Sequence, residues 1–296
     1  MRSSPVESDG VVHVGLDNGT FAAFSAASGD VQWSYTPNTT EDCWDPDFPP
    51  TYSRPCEVYS SPLLVNGLRI QGSEDNHTRC FNASTGELLW TRAASGNVDG
   101  TAVVGASGTN SVWIGCDDGY LYNLDVSTGN DVIAPVKHSG IMESQPSTDP
   151  ATNRLFSMYR PLDSKTQGVV FALDMHTGAY LWNISCAGGV PTYVANHDAV
   201  YVAGENGTVF CANSTNGELV WSQSKLPTVA RFMGPVVYDS TRDLVYGGNF
   251  DGTVVALNAT TGAVVWSYQI STSKALIPVP LGPRISKDNN LLYFGS

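Results

Sequence analysis

The chain has 296 residues, of which 42% are hydrophobic, and a net charge of −13 from 15 Lys and Arg against 28 Asp and Glu. The basic residues form no cluster, which argues against a nucleic-acid partner, because phosphate binding needs a basic surface. No apolar run approaches the roughly 18 residues of a membrane span, and the N-terminus has no signal-peptide core.

A repeat fills almost the whole chain. Its clearest copy, Gly252 to Trp266, is predicted to be a strand, a Thr-Gly turn and a second strand that contains a tryptophan. Six copies share a ten-residue spacing between a first residue and the turn glycine: Gly19/Gly29, Asn76/Gly86, Gly119/Gly129, Gly168/Gly178, Gly207/Gly217 and Gly252/Gly262. Asn76 is the one first residue other than glycine, and Asn tolerates positive φ well.

Each copy contains four short predicted strands separated by Gly, Asn and Asp turns, as at 61–65, 68–72, 78–82 and 88–91. Four strands in a unit of about 40 residues are typical of propeller blades. The predicted fold is all-β: a β-propeller of four-stranded antiparallel blades, with six repeat motifs plus a partial blade, about seven blades or part of eight. We expect residues 1–296 to form a single domain.

The two ends of the chain carry incomplete copies of the repeat. Val11–Gly15 and 291–296 are both predicted to be second strands, so the first blade is expected to lack its innermost strand. The sequence therefore predicts a segment cut from a longer chain at both ends, with Met1 not its natural start.

A tryptophan follows the turn glycine by four residues in five copies, and Ile133 replaces it in the third. These tryptophans are Trp33, Trp90, Trp182, Trp221 and Trp266. Equivalent positions in five blades favour a structural role, with the ring buried between blades and its N–H bonded to backbone. Removal of Trp221 or Trp266 is predicted to cost about 3–5 kcal/mol.

A short side chain precedes each turn glycine by four residues and is predicted to bond a backbone N–H just ahead. These residues are Ser25, Asn82, Asp125, Asp174, Asn213 and Asn258.

The runs Asp118 to Gly129 and Gly168 to Trp182 resemble the PQQ-like repeat of quinoprotein dehydrogenase-type propellers. The resemblance covers nearly the whole chain and implies a propeller with tryptophan-docking motifs. It does not imply the quinone, because one fold serves many functions. Similar repeats occur in non-enzymatic members, including an outer-membrane assembly lipoprotein and lumenal stress-sensor domains.

The dehydrogenase branch of that family uses an adjacent Cys-Cys disulfide and a calcium ion with its cofactor. This sequence has no adjacent cysteines, no zinc-site spacing and five scattered histidines. It also lacks a recognisable Ser/His/Asp set, phosphate-cradling loop or carboxylate pair. The sequence therefore predicts no catalytic residue, no cofactor and no metal site, and it favours a protein that is not an enzyme.

Two insertions interrupt the repeat, at about 37–58 and 159–167. Because strands alternate in direction, both connections are predicted to leave the same rim, and loops on a rigid scaffold often carry function. The predicted contacts with a protein or small ligand are Trp44, Asp45, Asp47, Phe48, Tyr159 and Arg160, since aromatic residues and Arg anchor interfaces. Alternatively both are tolerated surface loops, with Trp44 packed on its own blade.

The cysteines and sequons bear on the compartment. Cys43 and Cys56 lie thirteen residues apart in one insertion and are predicted to form a disulfide, whereas Cys80 and Cys211 are predicted to be free and buried. Eight Asn-x-Ser/Thr sequons favour an extracellular space or the secretory-pathway lumen. Asn38 and Asn183 are the predicted glycan sites, because most other sequons coincide with turn positions.

The leading interpretation is a non-catalytic binding or scaffold propeller in an extracellular or lumenal space. One alternative is a quinoprotein-type oxidoreductase domain whose remaining parts lie elsewhere. A second alternative is a propeller appended to a larger intracellular enzyme, in which case the sequons carry no glycans.

Overall fold

The computed structural model describes residues 3–38, 43, 55–142, 144–163, 167–226, 230–232, 234–270, 283–286 and 291–293. The chain divides into two compact units, Met1–Pro146 (unit 1) and Ser147–Ser296 (unit 2). Within the described ranges the structure is all-β, with a single three-residue 3-10 helix, Ala195–His197. The sheets are the four-stranded antiparallel blades of a β-propeller. The single domain expected for residues 1–296 stays a prediction.

Unit 1 contains three four-stranded sheets, in which sequential strands are neighbours, and one further strand of two residues, Gly140–Ile141. Its strands are β1 (Val6–Ser8), β2 (Val11–Gly15), β3 (Phe21–Ser25), β4 (Val31–Tyr35), β5 (Leu63–Val65), β6 (Leu68–Ser73), β7 (His77–Asn82), β8 (Leu88–Ala93), β9 (Val103–Val104), β10 (Ser111–Gly115), β11 (Tyr120–Asp125), β12 (Val136–Lys137) and β13 (Gly140–Ile141).

Unit 2 contains three further sheets built in the same way and one strand pair. Its strands are β14 (Ser147–Asp149), β15 (Arg154–Pro161), β16 (Gly168–Asp174), β17 (Tyr180–Cys186), β18 (Pro191–Val194), β19 (Ala199–Ala203), β20 (Val209–Asn213), β21 (Leu219–Gln223), β22 (Val237–Asp239), β23 (Leu244–Gly248), β24 (Thr253–Asn258), β25 (Val264–Gln269), β26 (Arg284–Ile285) and β27 (Leu292–Tyr293).

The first blade is complete, so the expectation that it lacks its innermost strand is wrong. β1 pairs antiparallel with β2, in the register Val6 to His13 and Ser8 to Val11. The connection between them is a tight turn at Asp9-Gly10, where both residues have positive φ. The Asp-Gly hairpin signal was present in the sequence, but the preceding strand has only three residues and alternates too briefly to be recognised.

The repeated turns follow the predicted chemistry. The turn glycines have φ near +70°, and Asn76, which replaces a first glycine, has φ +64°. The predicted side chains accept hydrogen bonds from backbone N–H groups ahead of them, as Asn82 Oδ1 does from Thr85 and Asp174 Oδ1 does from Thr177. The Ser25 hydroxyl accepts one from Ser28.

The core lies between successive sheets. In unit 1 one cluster combines Phe21, Ala23 and Trp33 of the first blade with Phe81 of the second. Each tryptophan faces a small residue across the strand pair, as Trp33 faces Ala23 and Trp90 faces Cys80, and a bulge follows at once. The small partner leaves room for the indole against the next sheet. Where Ile133 replaces the tryptophan, the outer strand β12 has only two residues.

Candidate partner-binding surfaces

The insertion in unit 1 is closed by a disulfide. Cys43 and Cys56 are bonded with their Cα atoms 5.0 Å apart, which confirms the predicted pair. Cys80 and Cys211 are free and buried, also as predicted. Trp44, Asp45, Asp47 and Phe48 lie outside the described residues, so their role in binding stays a prediction.

The returning end of this insertion is fixed to the rim by backbone contacts. Glu57 N donates to Glu74 Oε2 at 2.9 Å, and Glu74 N donates to the Glu57 carbonyl at 3.1 Å. The Cys43 sulfur lies 3.1 Å from the Glu74 carbonyl oxygen. Val58 N donates to the Leu16 carbonyl, which anchors the same segment to the first blade. The disulfide therefore lies directly against the turns of the first two blades.

Two buried valines in unit 1, which the sequence analysis missed, donate backbone hydrogen bonds of this kind. Val58 and Val98 are almost fully buried, and each fills the space above a glycine at the end of a second strand. A Cβ on Gly15 would lie 2.4 Å from Val58, and one on Gly72 would lie 2.2 Å from the Val98 carbonyl oxygen. The recurrent Gly at the end of the second strand is the sequence signal that could have identified these contacts.

The rim beside the disulfide carries a buried ion pair. Arg79 donates to Asp75 through Nη1 at 2.9 Å, and both side chains are 5% exposed. Burial raises the pKa of Asp75, but hydrogen bonds from Arg79 and Ser73 outweigh it, so the pKa is below its ordinary value. The carboxylate is thus ionised and satisfied within the blade, which gives this pair a structural role.

The insertion in unit 2 presents the two other predicted contact residues. Tyr159 lies in β15 opposite Val169, with its ring 6.1 Å from that of Phe171. Arg160 Nη1 lies 4.0 Å from Glu205 Oε1 in the next blade, and its side chain is 32% exposed. Leu162, which the sequence analysis did not select, lies in the same connection and is 82% exposed.

The rim continues from this insertion across the rest of unit 2. Phe232 N donates to the Gly204 carbonyl, and Phe250 N donates to that of Arg231. The Arg231 guanidinium lies over the Phe250 ring, 4.4 Å from its centroid. We call the surface formed by Arg160, Leu162, Glu205, Arg231 and Phe250 the unit 2 rim. It combines the exposed Leu162 and the half-buried Phe250 with two guanidinium groups, and aromatic residues and Arg are residue types that anchor interfaces.

One His–Asp pair resembles part of a catalytic set, but its hydrogen bonds point to structure. His197 Nε2 lies 2.6 Å from Asp243 Oδ1, and the Thr260 hydroxyl donates to Asp243 Oδ2 at 3.1 Å. Burial raises the pKa of Asp243, but hydrogen bonds from His197, Thr260 and Tyr238 outweigh this effect, so the pKa lies below its ordinary value. Because the hydroxyl contacts the carboxylate and not the imidazole, His197 does not activate it as a nucleophile.

A family model described as "Outer membrane protein assembly factor BamB" matches residues 1–135 and 145–288. The chain belongs to that family. This confirms the predicted PQQ-like repeat. The crystal structure of BamB from Moraxella catarrhalis has the same fold, with a TM-score of 0.74 and 18% identity over 100% of this chain and 80% of that one.

Three curated relatives of this BamB-family chain match it in part. The outer membrane protein assembly factor BamB of Yersinia pestis is 24% identical over 238 residues, 80% of this chain and 46% of that protein. The factor of the same name from Burkholderia pseudomallei is 30% identical over 178 residues, 57% and 46% of the two chains. Tetrathionate hydrolase of Acidithiobacillus ferrooxidans is 25% identical over 186 residues, 58% and 37%. The chain spans less than half the length of these relatives.

Other predicted features of this BamB-family chain lie at the surface. Asn38 and Asn183 are both exposed, and their glycosylation stays a prediction. Over the ranges that the structure describes, no helix is long and apolar enough to cross a membrane. Over the same ranges, no group of three or more His, Cys, Asp or Glu residues is arranged to hold a metal ion.

Proposed function

We propose that this chain is a non-catalytic scaffold that binds a protein partner through the unit 2 rim. The observation that carries the proposal is Leu162, which is 82% exposed between the flanking Arg160 and the rest of the rim. An apolar anchor beside guanidinium groups favours a partner that offers an apolar pocket with carboxylates around it. The description of the family as an assembly factor supports a protein partner.

The compartment belongs to the same proposal. The Cys43–Cys56 disulfide supports an oxidising space outside the cytosol, because disulfides persist there and are rare where thiols are kept reduced. The disulfide-closed insertion, with Trp44 and Phe48, is proposed as a second contact region, as the sequence predicts.

Site-specific photocrosslinking tests the rim directly. A photoreactive amino acid replaces Leu162 in the protein expressed in its native cells, and the matched control places it at His176, an exposed turn residue at the opposite end of the same blade. We expect a discrete crosslinked protein from position 162 and none from 176. Reversing the rim charges, with Arg160→Glu and Arg231→Glu, should remove the crosslink. Equal crosslinking from both positions would contradict the proposal.

The oxidoreductase alternative has its own readout. After addition of the quinone and calcium and removal of unbound quinone, the purified chain should carry no cofactor absorbance and should reduce no dye with alcohols. Appearance of both would replace the scaffold proposal with the enzymatic one.

A further inference from the structure

Asn-Gly dipeptides occur at four places in the chain, each in a turn between two strands. They are Asn18-Gly19, Asn66-Gly67, Asn206-Gly207 and Asn216-Gly217. Glycine has no side chain to shield its backbone nitrogen, so in such a dipeptide this nitrogen can attack the side-chain carbon Cγ of the preceding asparagine. The hydrogen bonds of each turn therefore decide which asparagine reacts.

Two hydrogen bonds protect three of these dipeptides. The glycine N–H donates at 2.9–3.1 Å to a carbonyl of its own turn: Gly19 to Leu16, Gly207 to Gly204 and Gly217 to Asn213. The asparagine Oδ1 accepts the N–H two residues ahead at 3.0–3.1 Å: Asn18 from Thr20, Asn206 from Thr208 and Asn216 from Glu218. The first bond occupies the attacking nitrogen, and the second directs the side chain towards a different backbone nitrogen.

The fourth dipeptide, Asn66-Gly67, has neither bond within the part of the chain that the structure describes. It forms the two-residue turn between β5 and β6, with φ of +52° at Asn66 and +73° at Gly67. Both residues are exposed, and a Cβ on Gly67 would meet nothing within 4 Å. The Gly67 carbonyl accepts Ala83 N at 2.9 Å, which leaves the N–H side of this residue open. Both reacting groups are therefore accessible to each other and to water.

The equivalent turn of the first blade shows what is missing here. Asp9 and Gly10 have nearly the same backbone, with φ of +53° and +77°. There the Gly10 N–H donates to Glu7 Oε1 at 2.8 Å. The residue two positions before the turn is Glu7 in the first blade and Leu64 in the second. An apolar side chain cannot accept a hydrogen bond, so the second turn lacks this cap.

We propose that Asn66 is a site of spontaneous deamidation and isomerisation, the one Asn-Gly dipeptide of the four that the fold leaves reactive. The Gly67 nitrogen attacks Asn66 Cγ, the bond from Cγ to the side-chain nitrogen breaks, and the Gly67 proton leaves with that nitrogen as ammonia. A water molecule then opens the resulting succinimide ring at either carbonyl, which gives aspartate or isoaspartate at position 66. Water is consumed, ammonia is released, and no electron is transferred.

The two products differ in their effect on the second blade. Aspartate tolerates the left-handed turn, as Asp9 does in the first blade. Isoaspartate adds a methylene to the main chain of a two-residue turn, so the turn no longer holds Val65 opposite Leu68. Both residues pack, with Leu63, against the core cluster that contains Ile70 and Val112, so the isoaspartyl form loosens the contact between the second and third blades.

Mass spectrometry of the intact chain compares the four dipeptides in one sample. The folded protein is incubated at mildly alkaline pH and then digested for peptide mapping. We expect Asn66 to convert roughly tenfold or more faster than Asn18, Asn206 and Asn216, since each of these must first break two hydrogen bonds. In urea the four rates should become similar, because the Asn-Gly sequence is common to all. Methyl transfer by an isoaspartyl-specific methyltransferase measures the isoaspartate formed.

Exchange of the cap between the two blades tests the physical cause. Asp9→Asn creates a further Asn-Gly turn that Glu7 caps, and the double variant Glu7→Leu/Asp9→Asn should convert at position 9 several-fold faster than Asp9→Asn alone. In the second blade, Leu64→Glu supplies an acceptor and should slow conversion of Asn66. The matched control, Leu64→Ala, supplies none and should not slow it. Circular dichroism verifies that all variants remain folded.

Three results would overturn the inference. The first is comparable conversion at all four asparagines of the folded chain. The second is the same order of rates in urea, which would assign the preference to neighbouring residues and not to the turn. The third is an equal rate at position 9 with and without Glu7, which would show that the glycine N–H bond gives no protection.

Discussion

The tryptophan between the sheets at β17 offers the sharpest test of what holds the blades together. Trp182 is 8% exposed, its ring lies 5.9 Å from that of Phe156, and its N–H donates to the Ser214 carbonyl at 2.8 Å. Burial of about 200 Å² of ring at about 25 cal/mol per Å² corresponds to about 5 kcal/mol. We therefore expect Trp182→Ala to lower the free energy of unfolding by about 3–5 kcal/mol.

Trp266→Ala is the matched control in the last four-stranded sheet. Trp266 is 39% exposed, so its removal leaves a space open to water and not a closed cavity between two sheets. We expect a loss of about 1–2 kcal/mol. The sequence predicted the full loss of a buried aromatic at Trp266, and its exposure corrects that value. Trp182→Phe, which keeps most of the apolar area and loses the hydrogen bond, should cost about 1–2 kcal/mol.

Urea denaturation followed by far-UV circular dichroism measures these differences, because the secondary structure signal does not depend on the deleted fluorophore. We expect Trp182→Ala to lower the free energy of unfolding most, and Trp182→Phe and Trp266→Ala to lower it less. Equal losses for the two alanine variants would refute the claim that contact with the next sheet determines the contribution of each ring.

Three further results are expected. Gly86→Ala should destabilise the protein by about 2–4 kcal/mol, since φ is +73° and the new Cβ would lie 2.5 Å from the Trp33 indole. Gly29→Ala, where φ is +75° and no atom lies near the new Cβ, should cost only about 1–2 kcal/mol. Similar losses for the two variants would argue against the indole contact. Reductant should lower stability by roughly 3 kcal/mol in the wild type, and should have no effect on the Cys43→Ser/Cys56→Ser variant; an equal effect on both would place the sensitivity elsewhere. Burial and the charge of Arg69 lower the pKa of His13 from 6.5 to about 4, so the unfolded chain takes up the proton first and the free energy of unfolding decreases as the pH is lowered from 6.5 to 4. The difference between the denaturation midpoints at pH 7 and pH 4.5 should therefore be smaller in His13→Phe than in the wild type. An unchanged difference would contradict this.

Much of the blade could be predicted because its signals are local. The spacing of Gly252 and Gly262 placed a strand and a turn, and the side chain of Asn258 bonds the Thr261 N–H as its position required. Positive φ at these glycines is a property of the turn itself, so it does not depend on the neighbouring sheet.

The contacts between blades were harder to predict, because they depend on which copy follows. Trp182 and Trp266 are equivalent in the sequence, yet Trp182 is 8% exposed and Trp266 is 39% exposed. Leu162 reads as an ordinary residue of a loop, and only its 82% exposure on the rim makes it a candidate contact. Sequence periodicity identifies the face of a strand but gives no information about what covers that face.

Arg69 illustrates how far the core departs from the simple pattern. It stands in β6 where the corresponding residue of β10 is Val112, and a buried position of this kind normally excludes an unpaired cation. Here Nη1 and Nη2 donate to the carbonyls of Ala22 and Val14 in the first blade, at 2.9 and 2.8 Å. The guanidinium also lies 5.0 Å from the Trp33 ring centroid. Burial lowers its pKa to about 9, so the cation persists at neutral pH. Arg69 Nε also donates to Gln71 in its own strand. Because the Ala22 and Val14 carbonyls belong to the neighbouring blade, this charge joins two successive sheets, a role that a valine cannot perform.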